Sequence, residues 1–494
     1  MASRSNRLML ALALVAAALS AAGWWFGAQL HPVWWLTWLA PLPISWLATR
    51  VQARWAALAA FVAFVIGDLP YWKYMNGYVG LPLVPTLIAI FGPALIMLLA
   101  VLLYRRLAMQ HRHLAAAFAM PVVVVAIWFL NGITNVNGTW GNPGYTQMDA
   151  LPVIQVAALT GVAGVCFLVM LGPACAAVLC NGSAPRAARL RTLLVGGGLI
   201  VAALVFGAWR LHATPADNGT PTSVGLISLD NAHPLQSPTS AGGAKLMQRY
   251  VDAIQTMAAK GAQYVLIPED SWMVSQRDVP ALQDAATRTG VTVLTGVDYK
   301  PQAGAERNML LAFHPQSSDP AVYMKHHLVP GLESRYAPWN GYTMLGGTPR
   351  IGMAICKDMD FPGMGRAYAE RNTQLLLVPA WDFKIDGWLH SRMAIMRGVE
   401  SGIAVARSAR NGRLTLSDDR GRVIAESSSA NRDARLLGTL HLRHTHTLYA
   451  RWGNWFGWLD VAALVMLLIL AWERQAQGLL KFAGRIPRSS RTRA

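Results

Sequence analysis

Three short segments carry side chains that make and break acyl bonds. In Val265-Leu266-Ile267-Pro268-Glu269-Asp270 an apolar strand stops at a proline and delivers a carboxylate to a loop, and such strand ends suit catalysis because the strand is rigid and the loop open. Glu269 or Asp270 would equally serve to cap the segment that follows. In Tyr323-Met324-Lys325-His326-His327-Leu328-Val329-Pro330, followed by Glu333, a lysine lies inside an apolar run. It either snorkels from an edge strand or meets a carboxylate, and a paired ammonium is suited to stabilising an oxyanion. In Gly352-Met353-Ala354-Ile355-Cys356-Lys357-Asp358-Met359-Asp360 a thiol falls just past an apolar strand, beside a lysine. That setting is expected to lower its pKa and open its sulfur to substrate. Of the four cysteines, Cys166, Cys175 and Cys180 fall in or beside one apolar span, which leaves Cys356 as the single thiol of the soluble region. A disulfide framework is excluded there, and an inert buried thiol is the alternative to a nucleophile. No glycine-rich loop follows a strand and no His or Cys cluster has metal spacing, so neither cofactor nor metal is expected.

These three segments need a scaffold. Short β-rich runs at 223–229, 264–267, 291–295, 309–313, 351–355, 375–378 and 403–407 alternate with helical patterns such as 243–260 and 390–400. Strands alternating with helices indicate an α/β layered domain.

The rest of the chain has a different composition. Of 494 residues 54% are hydrophobic and only 14% charged, where a soluble protein of this size carries about a quarter charged. Apolar runs at 8–30, 33–48, 55–72, 81–103, 114–130, 151–179 and 193–209, with a last one at 458–472, predict about eight transmembrane helices, each near the roughly 20 residues that cross a bilayer. Arg4 and Arg7 before a run through Ser20-Ala21-Ala22 would suit a signal peptide, but the run continues through Trp24, Trp25 and Phe26, longer than a signal core of about 7–15 residues.

The net charge of +18 raises nucleic acid as a partner, yet the basic residues cluster beside apolar runs rather than along one face, so no nucleic acid is expected. With a cytoplasmic N-terminus, Arg4 and Arg7, Arg50 and Arg54, Arg105, Arg106 and Arg112, then Arg186, Arg189 and Arg191 all fall inside, and the tail adds Arg474, Lys481, Arg485, Arg488, Arg491 and Arg493. The positive-inside rule then puts the soluble region outside the cytoplasm. The expected organisation is a membrane domain over 1–211, an extracytoplasmic catalytic domain over 212–456, a terminal helix over 457–473 and a basic cytoplasmic tail over 474–494.

In the order Glu, Lys, Cys, the three segments resemble the nitrilase (carbon–nitrogen hydrolase) superfamily. That resemblance implies an αββα sandwich, Glu269 as base, Lys325 as the triad lysine, Cys356 as nucleophile and Glu333 as a second carboxylate. Within that superfamily the whole chain resembles the apolipoprotein N-acyltransferase family. Matching segments include Gly144-Tyr145-Thr146-Gln147 with Gln155 and Thr160-Gly161, His390 with Met393, Ala394, Met396, Arg397 and Glu400, and Tyr449-Ala450-Arg451-Trp452-Gly453-Asn454-Trp455. The resemblance implies a phospholipid acyl donor, a diacylglyceryl-modified lipoprotein acceptor and residence in a bacterial inner membrane with the catalytic domain on the periplasmic side.

Two segments depart from the family. Cys356 is followed by Lys357-Asp358 rather than Tyr-Glu, closer to soluble nitrilases and a reason to keep a membrane-tethered amidase as the alternative. Leu229-Asp230-Asn231-Ala232-His233 keeps little of the family's Gln-Gly-Asn segment. A binding module without catalysis is a further alternative, which loss of a triad residue would favour. Trp339, Tyr342, Trp381, Phe383 and Trp388 lie near the expected site and either dip into the lipid interface or pack within the domain.

Overall fold

The computed structural model describes residues 2–229 and 235–483, so the segment Asp230 to His233 lies outside the described residues. Helices rich in Ala, Val and Leu build a bundle from α1 (Ala2–Gly27), α2 (Pro41–Ala48), α3 (Ala53–Asp68), α4 (Leu83–Met109), α5 (His113–Thr134), α6 (Val162–Leu179) and α7 (Arg186–His212). Along α3, Ala56, Ala60 and Ala63 are buried at helical spacing, and small residues of this kind let apolar helices approach closely. Leu14, Ile88 and Val205 instead face outward, more than half exposed, as side chains do when lipid is the solvent.

Among the described residues six helices are long and apolar enough to cross a membrane, or seven when Ala53–Asp68 and Pro70–Tyr78, bent by 42°, count as one span. The expected span at 33–48 is not a continuous helix. It is a 3-10 turn, Trp34–Trp38, followed by the eight-residue α2, because Pro41 and Pro43 donate no backbone N–H and are tolerated only in a first turn. Eight residues rise about 12 Å, short of the roughly 30 Å hydrocarbon core. The stretch nevertheless runs the length of the bundle, since Trp34 O accepts from Gln147 at one end while Ala48 O accepts from Arg105 at the other. The expected span at 151–179 also divides. Two single turns, Leu151–Ile154 and Ala157–Thr160, precede α6, with Gly161 at φ 70° and ψ −174° breaking the path between them.

One end of the bundle is basic. Arg50 donates to Cys180 O at 3.2 Å, Arg106 to Ala471 O at 2.7 Å and Arg112 to Leu470 O at 2.6 Å. Cys180 is the C-cap of α6, where a cation meets carbonyls that the helix leaves unpaired, while Leu470 and Ala471 lie within the last helix of the chain.

The other end carries two sheets. In the first, β1 (Thr220–Ser228), β2 (Tyr264–Leu266), β3 (Trp272–Val274), β4 (Thr292–Tyr299), β5 (Arg307–Phe313) and β6 (Ala321–Met324) join the last strand, β13 (Ala434–Leu442), in the order β13-β1-β2-β4-β5-β6 with β3 on β4. In the second, β7 (Met344–Leu345), β8 (Ile351–Met353), β9 (Leu375–Trp381), β10 (Ala404–Arg410), β11 (Arg413–Ser417) and β12 (Val423–Ser428) run in the order β12-β11-β10-β9-β8-β7.

Alternation along the strands makes two cores. Leu294, Leu310 and Ala312 meet Met353, Leu377 and Ala406 between the sheets, while Val293, Met309 and Leu311 face outward onto Tyr250 and Ile254 of α8 (Ala241–Ala259) and Leu282 of α9 (Pro280–Thr289). This is the period of two expected of strands buried on both faces. Helices α10 (Pro362–Ala369) and α11 (Gly387–Ser401) cover the second sheet through Met364, Tyr368 and Ala394, which completes an αββα sandwich. The chain then re-enters the bundle as α12 (Trp455–Ala483), packed on α5.

Candidate active site

The ends of β2 and β6 bring a lysine between two carboxylates. Lys325 Nζ lies 2.7 Å from Glu269 Oε1 and 2.8 and 2.9 Å from the two oxygens of Glu333. All three side chains are buried, so the lysine is no surface residue. Asn308 on β5 donates from one amide to Glu269 at 2.7 Å and to Glu333 at 2.8 Å, and Val329 N donates to Glu333 at 2.6 Å. Burial alone would lower the lysine pKa, but Glu269 and Glu333 hold it well above its ordinary value. Burial and the neighbouring Glu333 raise the pKa of Glu269 against the pull of Lys325. The adjacent Asp270 points elsewhere, accepting from Tyr336 at 3.4 Å.

Cys356, separated from β8 by two residues, opens a 3-10 turn and adopts φ +42°, a left-handed conformation that costs a non-glycine residue about 1–3 kcal/mol. Asp358 fixes that turn. Its Oδ2 accepts from Ile355 N at 3.0 Å and Tyr323 OH at 2.7 Å, while Oδ1 accepts from the backbone N of His326 at 3.1 Å and of His327 at 2.9 Å. One carboxylate thus ties the turn carrying Cys356 to the chain that follows Lys325. Despite burial, the His327 imidazole, with Nδ1 3.2 Å from Oδ1, and then Tyr323 and Ile355 keep the Asp358 pKa below its ordinary value. The expectation of a lowered thiol pKa is reversed. Burial and then Glu269 push Cys356 well above its usual range, against the weaker pull of Lys325 and Arg407. Lys357 does not activate the sulfur, because its Nζ is directed to Asn137 Oδ1 at 2.8 Å.

The sequence reading missed Asn308 and a buried pair, Arg407 with Asp382 at 2.9 and 2.5 Å. An arginine inside the apolar run at the start of β10 was the available signal for the pair. Asp382 follows Trp381, whose carbonyl lies 3.8 Å from Cys356 Sγ. Of the aromatic candidates, Trp388 is buried against the bundle, stacked on His31 at 4.8 Å. Trp339 packs edge-on to Tyr323 at 5.7 Å and Tyr342 edge-on to His326 at 5.0 Å. Trp381 stacks under Arg410 at 4.4 Å, and Phe383 N donates to Asp386 at 2.8 Å.

The bundle and the sandwich meet along a polar seam. Arg397 donates to Tyr145 OH at 2.8 Å and pairs with Glu400 at 3.1 Å, which accepts from Val162 N at 2.7 Å. Gln155 donates to Arg420 O at 2.9 Å, and Trp455 to Leu159 O at 2.8 Å. Tyr74, from the bent bundle segment, donates to Asp386 at 2.8 Å, beside His390 at 3.0 Å from the same carboxylate.

This arrangement defines a carbon–nitrogen hydrolase domain fused to a membrane bundle, and residues 235–452 match the carbon–nitrogen hydrolase family. Residues 13–175 match the apolipoprotein N-acyltransferase N-terminal domain, and along most of its length the chain is similar to proteins named apolipoprotein N-acyltransferase. Proteins of that name from Geobacter metallireducens and Chromobacterium violaceum are 23% and 26% identical to it, covering 89% and 90% of this chain and 92% and 91% of their own. Among solved structures, Saccharomyces cerevisiae Nit3, a member of branch 10 of the nitrilase superfamily, is 18% identical with a TM-score of 0.40, covering 46% of this chain and 93% of its own.

Proposed function

We propose that the chain transfers a fatty acyl group from a phospholipid to the N-terminal amine of a lipoprotein, through a thioester on Cys356. The observation that carries this reading is the seam. Tyr145, Gln155, Arg397 and Glu400, all within the segments that resemble the acyltransferase family, join the sandwich to the membrane bundle. A hydrolase of small soluble amides has no use for that attachment, whereas both partners of the proposed reaction are lipid-anchored.

In the first half-reaction Glu269 takes the proton from Cys356 Sγ, and the thiolate attacks the acyl ester carbonyl. A thiol held neutral at rest needs such a base, and a carboxylate with a raised pKa accepts the proton readily. Lys325 has three N–H donors, all directed at carboxylate oxygens. Protonation of Glu269 removes its charge and weakens its hold, which frees one donor for the oxyanion. The ester C–O bond breaks, the lysophospholipid leaves with the proton returned by Glu269, and the thioester remains. In the second half-reaction the amine nitrogen attacks the thioester, Glu269 receives the amine proton, the C–S bond breaks and the thiolate is reprotonated. Glu333 and Asp358 act as positioning residues.

The domain division at 211/212 and 456/457 belongs to the same reading, as does the compartment. Arginines at the bundle end opposite the sandwich favour a cytoplasmic face there and a periplasmic catalytic domain in the inner membrane. The test is intact-mass spectrometry of purified protein incubated with phospholipid. An added acyl mass that hydroxylamine removes, and that a diacylglyceryl-cysteine peptide discharges to an N-acylated product, is expected. Hydrolysis of a small amide without an acyl adduct would replace this reading with an amidase.

A further inference from the structure

A cavity of ≈ 360 Å³ lies between the bundle and the sandwich. Phe129 and Ile133 of α5, Ala163 of α6 and Gly457 of α12 form its membrane wall, and His326 and His327, which follow the catalytic lysine directly, form part of the opposite one. Ile133 is 45% exposed, an apolar side chain of a membrane-spanning helix left uncovered at the cavity.

One cation faces this space. Arg366 on α10 lines the cavity, and among the described residues no carboxylate pairs with its guanidinium, while its Nε is buried without a hydrogen-bond partner. The guanidinium fills the space beside Gly453, at φ +61°, where a Cβ would come within 2.5 Å of Cζ and 2.6 and 2.7 Å of the two terminal nitrogens. A side chain at 453 would expel it. Leaving a buried guanidinium N–H unsatisfied is costly unless a ligand supplies the acceptor.

We propose that this cavity binds the phosphodiester of a membrane phospholipid, with Arg366 forking onto the phosphate oxygens and the flank of α5 and α12 receiving an acyl chain. This rests on the acyltransfer reading and assigns its donor subsite. A guanidinium matches two oxygens of a phosphate in geometry and charge, and an apolar wall beside it selects an amphiphile. The diacylglyceryl-cysteine head of the acceptor carries no phosphate, so Arg366 acts in one half-reaction only.

The experiment measures the half-reactions separately on the full-length protein in detergent. With Arg366→Gln, KM for thioester formation from dioleoyl phosphatidylglycerol is expected to rise about tenfold, as loss of a charged hydrogen bond implies. Acylation by a phosphate-free p-nitrophenyl ester, and discharge of the preformed thioester by the acceptor peptide, are expected at wild-type rates. Arg366→Lys, keeping the charge but not the fork, is expected to fall between. An unchanged KM in Arg366→Gln, or an equal loss with the p-nitrophenyl ester, would overturn the proposal. Inorganic phosphate is expected not to compete with the lipid, and competition that Arg366→Gln abolishes would make this a site for free phosphate. Absence of any thioester in the wild type defeats the acyltransfer reading itself, whereas a wild-type thioester with an indifferent Arg366→Gln defeats only this one.

Discussion

Lys357 Nζ lies 2.8 Å from Asn137 Oδ1, so the residue after the nucleophile is anchored in the loop that leaves α5. The departure from Tyr-Glu that suggested a soluble amidase is therefore a contact between bundle and sandwich. Asn137→Ala would strip a buried ammonium of an acceptor, at a cost of about 1–3 kcal/mol. Thermal unfolding in detergent should show that loss together with a several-fold drop in thioester formation. Unchanged values for both would mean that the turn does not depend on the bundle.

Cys356→Ala and Cys356→Ser should leave insertion and folding intact while lowering turnover by about 10³-fold or more. Neither should gain acyl mass on incubation with phospholipid. Wild-type turnover in either variant would remove the thioester mechanism.

Lys325 offers two separable tests. Lys325→Arg keeps the charge but cannot place one compact donor among the oxygens of Glu269 and Glu333, and should reduce activity by about 10²-fold or more. Lys325→Met leaves two buried carboxylates without their cation and should destabilise the fold by about 3–5 kcal/mol, read as a lowered unfolding midpoint. Near-normal activity of the arginine variant would return the lysine to a surface role.

Two pH effects follow from different groups. Glu269 must be ionised to accept the thiol proton, and its pKa is raised, so thioester formation should increase with pH through a value above the ordinary 4.5. A Glu269→Gln variant should lose that limb along with the activity. His390 is held at about 9 against burial by Asp386, with Asp360 and Asp382 adding to the pull, and Tyr74 OH also faces it at 3.5 Å. Its folded value exceeds the unfolded 6.5, so its contribution to stability is complete below about pH 6.5 and lost as pH rises through about 9. At about 1.4 kcal/mol per unit, the contribution is on the order of 3 kcal/mol. The unfolding midpoint of the wild type should fall across that window, and that of His390→Gln should be flatter.

Orientation is testable without chemistry. A reporter fused after Arg451 should be active only outside the cytoplasm and one fused at Ala494 only inside. The reverse pattern would invert the reading of the arginines.

Glu269, Lys325 and Cys356 were legible because each ends an apolar strand, and a polar group at such an end stands out against its run. Asn308 was not, since it precedes its apolar run at 309–313 like any loop residue, and only the antiparallel pairing of β5 with β4 and β6 brings it beside Glu269 and Lys325. The pairing of Asp382 with Arg407 depends on the parallel register of β9 and β10, which places Trp381 opposite Arg410. Strands β12 and β13 escaped notice because they are only partly covered and carry charged and hydroxyl residues in place of an apolar run. The broken crossing at 33–48 was hidden for the opposite reason. Its hydropathy is that of a span, and hydropathy does not register the two prolines.

The arginines at the far end of the bundle bind backbone carbonyls of other segments: Arg50 that of Cys180, Arg105 that of Ala48, Arg106 that of Ala471 and Arg112 that of Leu470. Under the orientation proposed above, each side chain is both an address and a rivet. Exchanging one for a neutral residue to flip the protein would also remove a hydrogen bond to another segment, so a change of orientation and a loss of packing would come together. Engineers who wish to reverse this chain must add positive residues to the opposite loops and leave the existing ones in place.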